Sequence, residues 1–132
     1  MEMNKADIRV LLVDDAPVLI ESLSRMLGFI GYTGIKQAED GPKALELAKD
    51  YQPHLVLMDT RMPPGPEGYE VCRQMRQEDY GKRAAILGMS MNDDLKLKEQ
   101  WLEAGADGFF PKDIKLKDLT RIIEEALEKY QQ

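Results

Sequence analysis

The stretch Leu55-Val56-Leu57-Met58-Asp59-Thr60-Arg61-Met62-Pro63 indicates which fold this chain adopts. Its first four residues are apolar without interruption, which is typical of a short strand buried on both faces of a parallel sheet. The run ends in a carboxylate, and a loop rich in proline and glycine follows directly. Open parallel sheets carry their ligand sites at the carboxyl ends of the strands, so Asp59 stands where a ligand would bind.

Around this stretch the chain alternates strand-like and helix-like segments. Strands are predicted at Ile8–Val13, Gly34–Ala38, Leu55–Met58, Ala84–Met89 and Asp107–Phe110. Helices are predicted from Pro17 to near Gly28, from about Ala44 to Tyr51, from about Gly68 to Glu78, from Asp93-Asp94 to a stop at Gly105, and from about Leu116 to Tyr130. Together they predict an α/β fold, a three-layer αβα sandwich in which (βα)5 units form a doubly wound, five-stranded parallel sheet.

Composition restricts the class of protein further. The 132 residues are 43% hydrophobic, which is enough for one compact core, and the net charge of −6 argues against general nucleic-acid binding. A lone cysteine, Cys72, suits a reducing compartment, and no apolar run approaches the roughly 20 residues that span a bilayer. We therefore expect a single cytoplasmic domain over residues 1–132, with its core at about 8–130, no effector domain in this chain and no membrane contact.

Four predicted strands end in or beside reactive side chains. The first ends in Asp14-Asp15, the third in Asp59 and the fourth in Ser90, while the fifth leads through a Phe-Phe-Pro sequence to Lys112. Three close carboxylates raise each other's proton affinity unless a cation is present. Lys112 offsets one charge, and ligands that are all oxygen favour Mg²⁺ for the remainder. A carboxylate beside Mg²⁺, a hydroxyl and a lysine is equipped to accept a phosphoryl group.

Several of these residues also have a purely structural interpretation. Taken alone, Asp14-Asp15 would cap a helix, and Phe109 could simply fill the core. Trp101 lies on the apolar stripe of the fourth helix, so core packing is the preferred interpretation. His54 precedes a strand and is interpreted as an exposed linker residue, not as a phosphocarrier.

In this order and spacing, the motifs resemble the receiver domains of two-component response regulators over nearly the whole chain. The matching motifs are Asp14-Asp15, the Leu57–Pro63 segment, Ser90, Glu103-Ala104-Gly105-Ala106-Asp107-Gly108 and Lys112. The resemblance implies a flavodoxin-like sheet with strand order 2-1-3-4-5. It also implies a phosphoacceptor that assists its own phosphorylation and dephosphorylation, as opposed to a conventional multi-turnover enzyme.

The same resemblance implies a role for each acidic residue. Asp59 would accept a phosphoryl group from a phosphohistidine of a sensor histidine kinase or phosphotransfer domain. Asp15, Asp59 and the backbone carbonyl of Arg61 would bind Mg²⁺, or Mn²⁺ as the alternative ion, and Asp14 would act through a bound water.

The remaining matched residues would carry the switch. Ser90 would bond a phosphoryl oxygen, Lys112 would pair with Asp59 or the phosphoryl group, and the rotamer of Phe109 would follow Ser90. The output would be a change in the face built from the fourth helix, fifth strand and fifth helix, which could also form a homodimer. The downstream protein is not identifiable from the sequence.

The chain departs from the usual pattern near the phosphoacceptor. Met91 follows Ser90 where alanine or glycine is usual, and the loop at residues 63–68 is one residue longer and richer in proline. Asp113 replaces the usual proline after Lys112. Arg61, Met91 and Asn92 fall at or beside positions that tune the lifetime of the phosphoryl group in this family.

Other functions remain open at this point. One is a receiver-like docking module that works without phosphorylation. Another is a Mg²⁺-dependent aspartyl-phosphate phosphohydrolase of a different α/β family, although such enzymes commonly have an acid where this chain has Arg61. A nucleotide-binding protein is less well supported, because no glycine-rich phosphate loop follows the first strand.

Overall fold

The computed structural model describes residues 3–91 and 94–130, in which five strands alternate with five α-helices. The strands are β1 Arg9–Val13, β2 Gly34–Ala38, β3 Leu55–Asp59, β4 Ala85–Ser90 and β5 Gly108–Pro111. The helices are α1 Pro17–Ile30, α2 Gly41–Tyr51, α3 Gly68–Met75, α4 Leu95–Glu103 and α5 Leu116–Glu128. Short 3₁₀ turns precede β1 and β4.

All neighbouring strands of the sheet run parallel, in the order β2-β1-β3-β4-β5. The register places Val13 beside Met58, Asp59 beside Met89, and Ser90 beside Pro111. The carboxyl ends of β1, β3, β4 and β5 therefore meet at one edge. This confirms the predicted α/β flavodoxin-like fold and its strand order.

The helices cover both faces of the sheet, which explains why the central strands are apolar without alternation. One core cluster packs α1 and α5 against residues such as Val10, Leu55 and Phe110. The other packs α2, α3 and α4 against residues such as Val56 and Phe109. All five residues of β3, including Asp59, are buried.

Some helix boundaries differ from those predicted. α1 continues past Gly28 to Ile30 and is closed by Gly31, which has a positive φ of 124° and donates its N–H to the Leu27 carbonyl. α3 ends at Met75 and α5 at Glu128, one turn or less before the predicted ends. Asp94 caps α4 by accepting from the N–H of Lys96 at 2.9 Å, while Asp93 lies outside the described residues.

The helices in the described part of the chain are too short or too polar to cross a membrane.

Candidate functional site

Two acids sit at the carboxyl end of β1. Asp14 is buried, and its Oδ1 accepts from the N–H of Ala16 at 2.9 Å, which fixes the turn that leads into α1. Pro17 opens that helix, where its missing N–H costs no hydrogen bond. Asp15 remains exposed beside the turn. The local sequence thus buries one carboxylate and presents the other to solvent.

Asp59 is the third acid of the group. Asp59 is the last residue of β3 and is only 4% exposed. Carboxylate oxygens of Asp14, Asp15 and Asp59 lie within 4.8 Å of one another. Ligands at about 2.0–2.1 Å from an octahedral Mg²⁺ stand at most about 4.2 Å apart, so small side-chain movements bring these oxygens to that spacing. The donors are all hard oxygens, and the group fits a divalent cation of this type.

Lys112 joins two of the acids. Its Nζ lies 2.9 Å from Asp14 Oδ2 and 3.0 Å from Asp59 Oδ1. Its backbone N–H donates to the Ser90 carbonyl oxygen at 2.7 Å, so the end of β4 helps to hold it in place. The sequence-predicted convergence of Asp14, Asp59 and Lys112 is thereby observed as a set of contacts.

The three carboxylates carry more negative charge than Lys112 neutralises. Burial and the charge of Asp14 raise the pKa of Asp59 above its usual range, against the opposing effects of Lys112 and the N–H of Thr60. Burial alone would lower the pKa of Lys112, but hydrogen bonds and charges from Asp14 and Asp59 outweigh it and raise that pKa. Three carboxylates and one ammonium leave two negative charges, which one divalent cation would neutralise.

Ser90 and Phe109 occupy the neighbouring strands. Ser90 ends β4 one residue beyond Met89, the register partner of Asp59, and it is half-buried. Phe109 is buried in the same core cluster as Trp101. These positions are compatible with both the switch interpretation and plain core packing for Phe109, so its role stays a prediction.

Arg61 and Met91, two of the residues predicted to tune the phosphoryl lifetime, are exposed. Arg61 is exposed, with Nε 3.9 Å from Glu67 Oε2, and Met91 is 74% exposed. Asn92 lies outside the described residues. The loop after Asp59 contains a cis bond between Pro63 and Pro64.

Thr60 is a site residue that the sequence analysis missed. Its backbone N–H donates to Asp59 Oδ1 at 2.8 Å, and its hydroxyl donates to the Met89 carbonyl oxygen at 2.9 Å. Trp101 Nε1 donates to the same hydroxyl at 2.9 Å. The signal available in the sequence was a polar residue directly after the buried strand and next to Asp59.

Two simpler predictions have different outcomes. The core location of Trp101 is confirmed, because the side chain is fully buried. The exposed location of His54 is wrong: it is half-buried, and its Nδ1 accepts from the N–H of Arg9 at 2.9 Å. His54 is half-buried because it lies beside the start of β1, where its own N–H also donates to the Arg9 carbonyl oxygen at 2.9 Å.

Comparison with known proteins gives one consistent family. Residues 10–124 match the model of the response regulator receiver domain. Response regulator MprA of Mycobacterium sp. (strain KMS) is 39% identical over 122 residues, which are 92% of this chain and 51% of that protein. MprA of Mycobacterium leprae is 37% identical over 92% of this chain and 52% of its own length. The chain thus spans about half the length of the curated relatives it matches.

Solved structures give the same picture. A putative response regulator from Chloroflexus aurantiacus superposes with a TM-score of 0.84 at 28% identity, over 92% of this chain and 99% of that one. The receiver domain of sensor histidine kinase PA1611 from Pseudomonas aeruginosa has a TM-score of 0.81 at 30% identity, over 92% and 98%. That structure holds a magnesium ion coordinated in its active-site cleft.

Proposed function

Because this chain belongs to the response regulator receiver domain family of two-component systems, we propose that it accepts a phosphoryl group on Asp59 in a Mg²⁺-dependent reaction. The observation that carries the proposal is the group of Asp14, Asp15 and Asp59 with Lys112 at one sheet edge. The donor is a phosphohistidine of a sensor histidine kinase or phosphotransfer domain.

The residues divide the work of the transfer. An oxygen of Asp59 attacks phosphorus, a new O–P bond forms, and the N–P bond to the donor histidine breaks, so that the imidazole leaves and takes up a proton. Lys112, already 3.0 Å from Asp59 Oδ1, offsets the charge on the acceptor, and Ser90 bonds a phosphoryl oxygen. The receiver assists this step without being a conventional enzyme.

The acids would hold the metal ion. Asp15, Asp59 and the Arg61 backbone carbonyl would bind Mg²⁺ directly, and Asp14 would do so through a water, with Mn²⁺ as an alternative ion. A bound ion would supply positive charge beside Asp59, whose pKa is raised by burial and by the charge of Asp14. The magnesium site of the PA1611 receiver domain supports this assignment.

The output would pass through the α4–β5–α5 face. Phe109 would follow Ser90 toward the phosphorylated site, and Arg61, Met91 and Asn92 would set the lifetime of the phosphoryl group. We propose one receiver domain over residues 1–132, located in the cytoplasm, that contacts a protein partner or a second copy through this face and binds no nucleic acid itself.

The test uses beryllofluoride, a phosphoryl mimic, and acetyl phosphate, a small donor. With Mg²⁺, we expect wild-type protein to bind beryllofluoride and to gain one phosphoryl group from acetyl phosphate, detected by intact-protein mass. Asp59→Asn should abolish both responses. Asp79→Asn, a change at an exposed acid in the segment that leads to the amino end of β4, should alter neither. A wild-type protein that responds to neither reagent would contradict the proposal.

A further inference from the structure

Trp101 is the most deeply buried contact of α4 with the core below it. Within α4, all of whose residues the structure describes, Trp101 alone is buried, while Leu95 and Leu102 are exposed. The indole lies between two glycines: a Cβ built on Gly88 would overlap the ring, and one built on Gly68 would lie 2.9 Å from it. Any movement of α4 over the sheet therefore moves this side chain.

The indole is connected to Asp59 through Thr60. Trp101 Nε1 donates to Thr60 Oγ1 at 2.9 Å, and the Thr60 hydroxyl donates to the Met89 carbonyl oxygen at 2.9 Å. The Thr60 N–H donates to Asp59 Oδ1 at 2.8 Å and to the Met89 oxygen at 3.0 Å. The Thr60 carbonyl oxygen accepts from the N–H of Gly68 at 2.6 Å. Each polar group of Thr60 is thus engaged, and one end of this network is the phosphoacceptor carboxylate.

Burial makes this connection sensitive to displacement. Thr60 is 4% exposed and Trp101 is fully buried, so a hydrogen bond lost between them leaves a polar group without water to replace its partner. Asp59 Oδ1 also contacts Lys112 Nζ. Because the carboxylate is planar, the contacts that fix Oδ1 also determine where Oδ2 points. A shift of Thr60 would therefore change the orientation of the reacting carboxylate.

On the basis of the proposed phosphorylation of Asp59, we infer that Trp101, acting through Thr60, is a positioning residue that couples the position of α4 to the reactivity of Asp59. The coupling works in both directions for binding. A partner that displaces α4 changes the orientation of Asp59, and a phosphoryl mimic on Asp59 changes the surroundings of the indole.

Fluorescence gives the first test, because Trp101 is the sole tryptophan. We expect beryllofluoride with Mg²⁺ to change the tryptophan emission of the wild-type protein. Thr60→Ser keeps the hydroxyl and should keep this change. Thr60→Val has nearly the same shape without the hydroxyl and should lose most of it.

Phosphorylation rates give the second test. With acetyl phosphate and saturating Mg²⁺, Thr60→Val and Trp101→Phe should react about 3- to 10-fold more slowly than wild type, while Thr60→Ser stays within about twofold. Cys72→Ala is the matched control for general loss of packing. It truncates a buried side chain whose Sγ lies 3.7 Å from the Ala104 carbonyl oxygen, and it should react at the wild-type rate.

The outcomes separate the inference from the proposed function. Suppose that the wild-type protein is phosphorylated, that Thr60→Val and Trp101→Phe react at its rate, and that Thr60→Val shows the same change in emission. This result would overturn the inference and leave the proposed function intact. Equal slowing in Cys72→Ala also overturns it, because the effect would then follow stability. A wild-type protein that takes up no phosphoryl group overturns the proposed function and this inference together.

Discussion

The Asp59 carboxylate carries its charge in surroundings that disfavour it. Burial and Asp14 raise its pKa above the usual range, and Lys112 with the Thr60 N–H offsets only part of that effect. The folded state therefore binds the proton of Asp59 more tightly than the unfolded state does. The resulting stabilisation is complete below the unfolded pKa and is lost as the pH rises through the folded pKa.

This predicts that Asp59→Asn stabilises the metal-free protein at neutral pH. We expect the free energy of unfolding to rise by about 1–3 kcal/mol at about pH 7, because a buried charge is removed. The gain should shrink as the pH falls toward the unfolded pKa of about 3.9. Urea unfolding in the presence of a chelator measures it, with Asp79→Asn as the control. A destabilised Asp59→Asn protein at neutral pH would contradict the prediction.

His54 titrates in the opposite sense. Burial and the charge of Arg9 lower its pKa, and its Nδ1 must be unprotonated to accept the Arg9 N–H. The unfolded state therefore binds more protons between the folded pKa and about 6.5, so stability rises with pH across that window. His54→Asn keeps an acceptor near the Nδ1 position but cannot titrate. We expect urea midpoints of this variant to change less between about pH 5.5 and 7.5 than those of wild type; equal changes would refute the assignment.

At the scale of elements, Arg76 ties several of them together at the edge of the sheet opposite the acids. Its guanidinium donates to the carbonyl oxygens of Gly105 at 2.9 Å and Ala84 at 2.6 Å. It also pairs with Asp107 Oδ2 at 3.0 Å, and Tyr130 donates to Asp107 Oδ1 at 2.8 Å. The contacts of Arg76 and Asp107 thus connect the ends of α3 and α5 to the starts of β4 and β5.

Arg76→Lys should therefore be costly although charge is conserved. A lysine ammonium is compact and cannot reach this many acceptors in the fixed geometry of a guanidinium. We expect the free energy of unfolding to fall by about 2–4 kcal/mol, because buried acceptors lose their partners. Arg73→Lys, one turn earlier and exposed, should change it by less than about 0.5 kcal/mol. Equal effects of the two substitutions, measured by urea unfolding, would show that the contacts of Arg76 are not responsible.

At the scale of the whole molecule, the site exists because four strands end at one edge. Asp14, Asp59, Ser90 and Lys112 come from separate strand ends spread over most of the chain, and only the sheet brings them together. An ion bound between them should therefore stabilise the whole domain, since unfolding would destroy the site.

Mg²⁺ should raise the free energy of unfolding by about 2.7 kcal/mol at a concentration one hundred times its Kd. Thermal unfolding at constant ionic strength measures this as a Tm that rises with Mg²⁺ concentration. Asp15→Asn removes one ligand at an exposed position and should abolish most of the rise. A rise of the same size in that variant would place the ion elsewhere.

Local patterns were sufficient for the order and type of the elements and for the charged part of the site. The unbroken apolar run of β3 required burial on both faces, and parallel strands required the acids and Lys112 to converge. The ends of the helices were less predictable, because the cap at Gly31 depends on a positive φ that no apolar periodicity reveals.

The sequence by itself determined the sheet, its carboxyl edge, and Asp59 as the acid at the centre of that edge. Apolar periodicity and the residue type at the end of a strand are local properties, so they can be recognised from residues that are close in the chain. Only the tertiary structure decided that Thr60 holds Asp59 and that Trp101 holds Thr60 across 41 residues of sequence. Such a contact depends on how α4 packs over Gly68 and Gly88, and packing is a property of segments that meet only after folding.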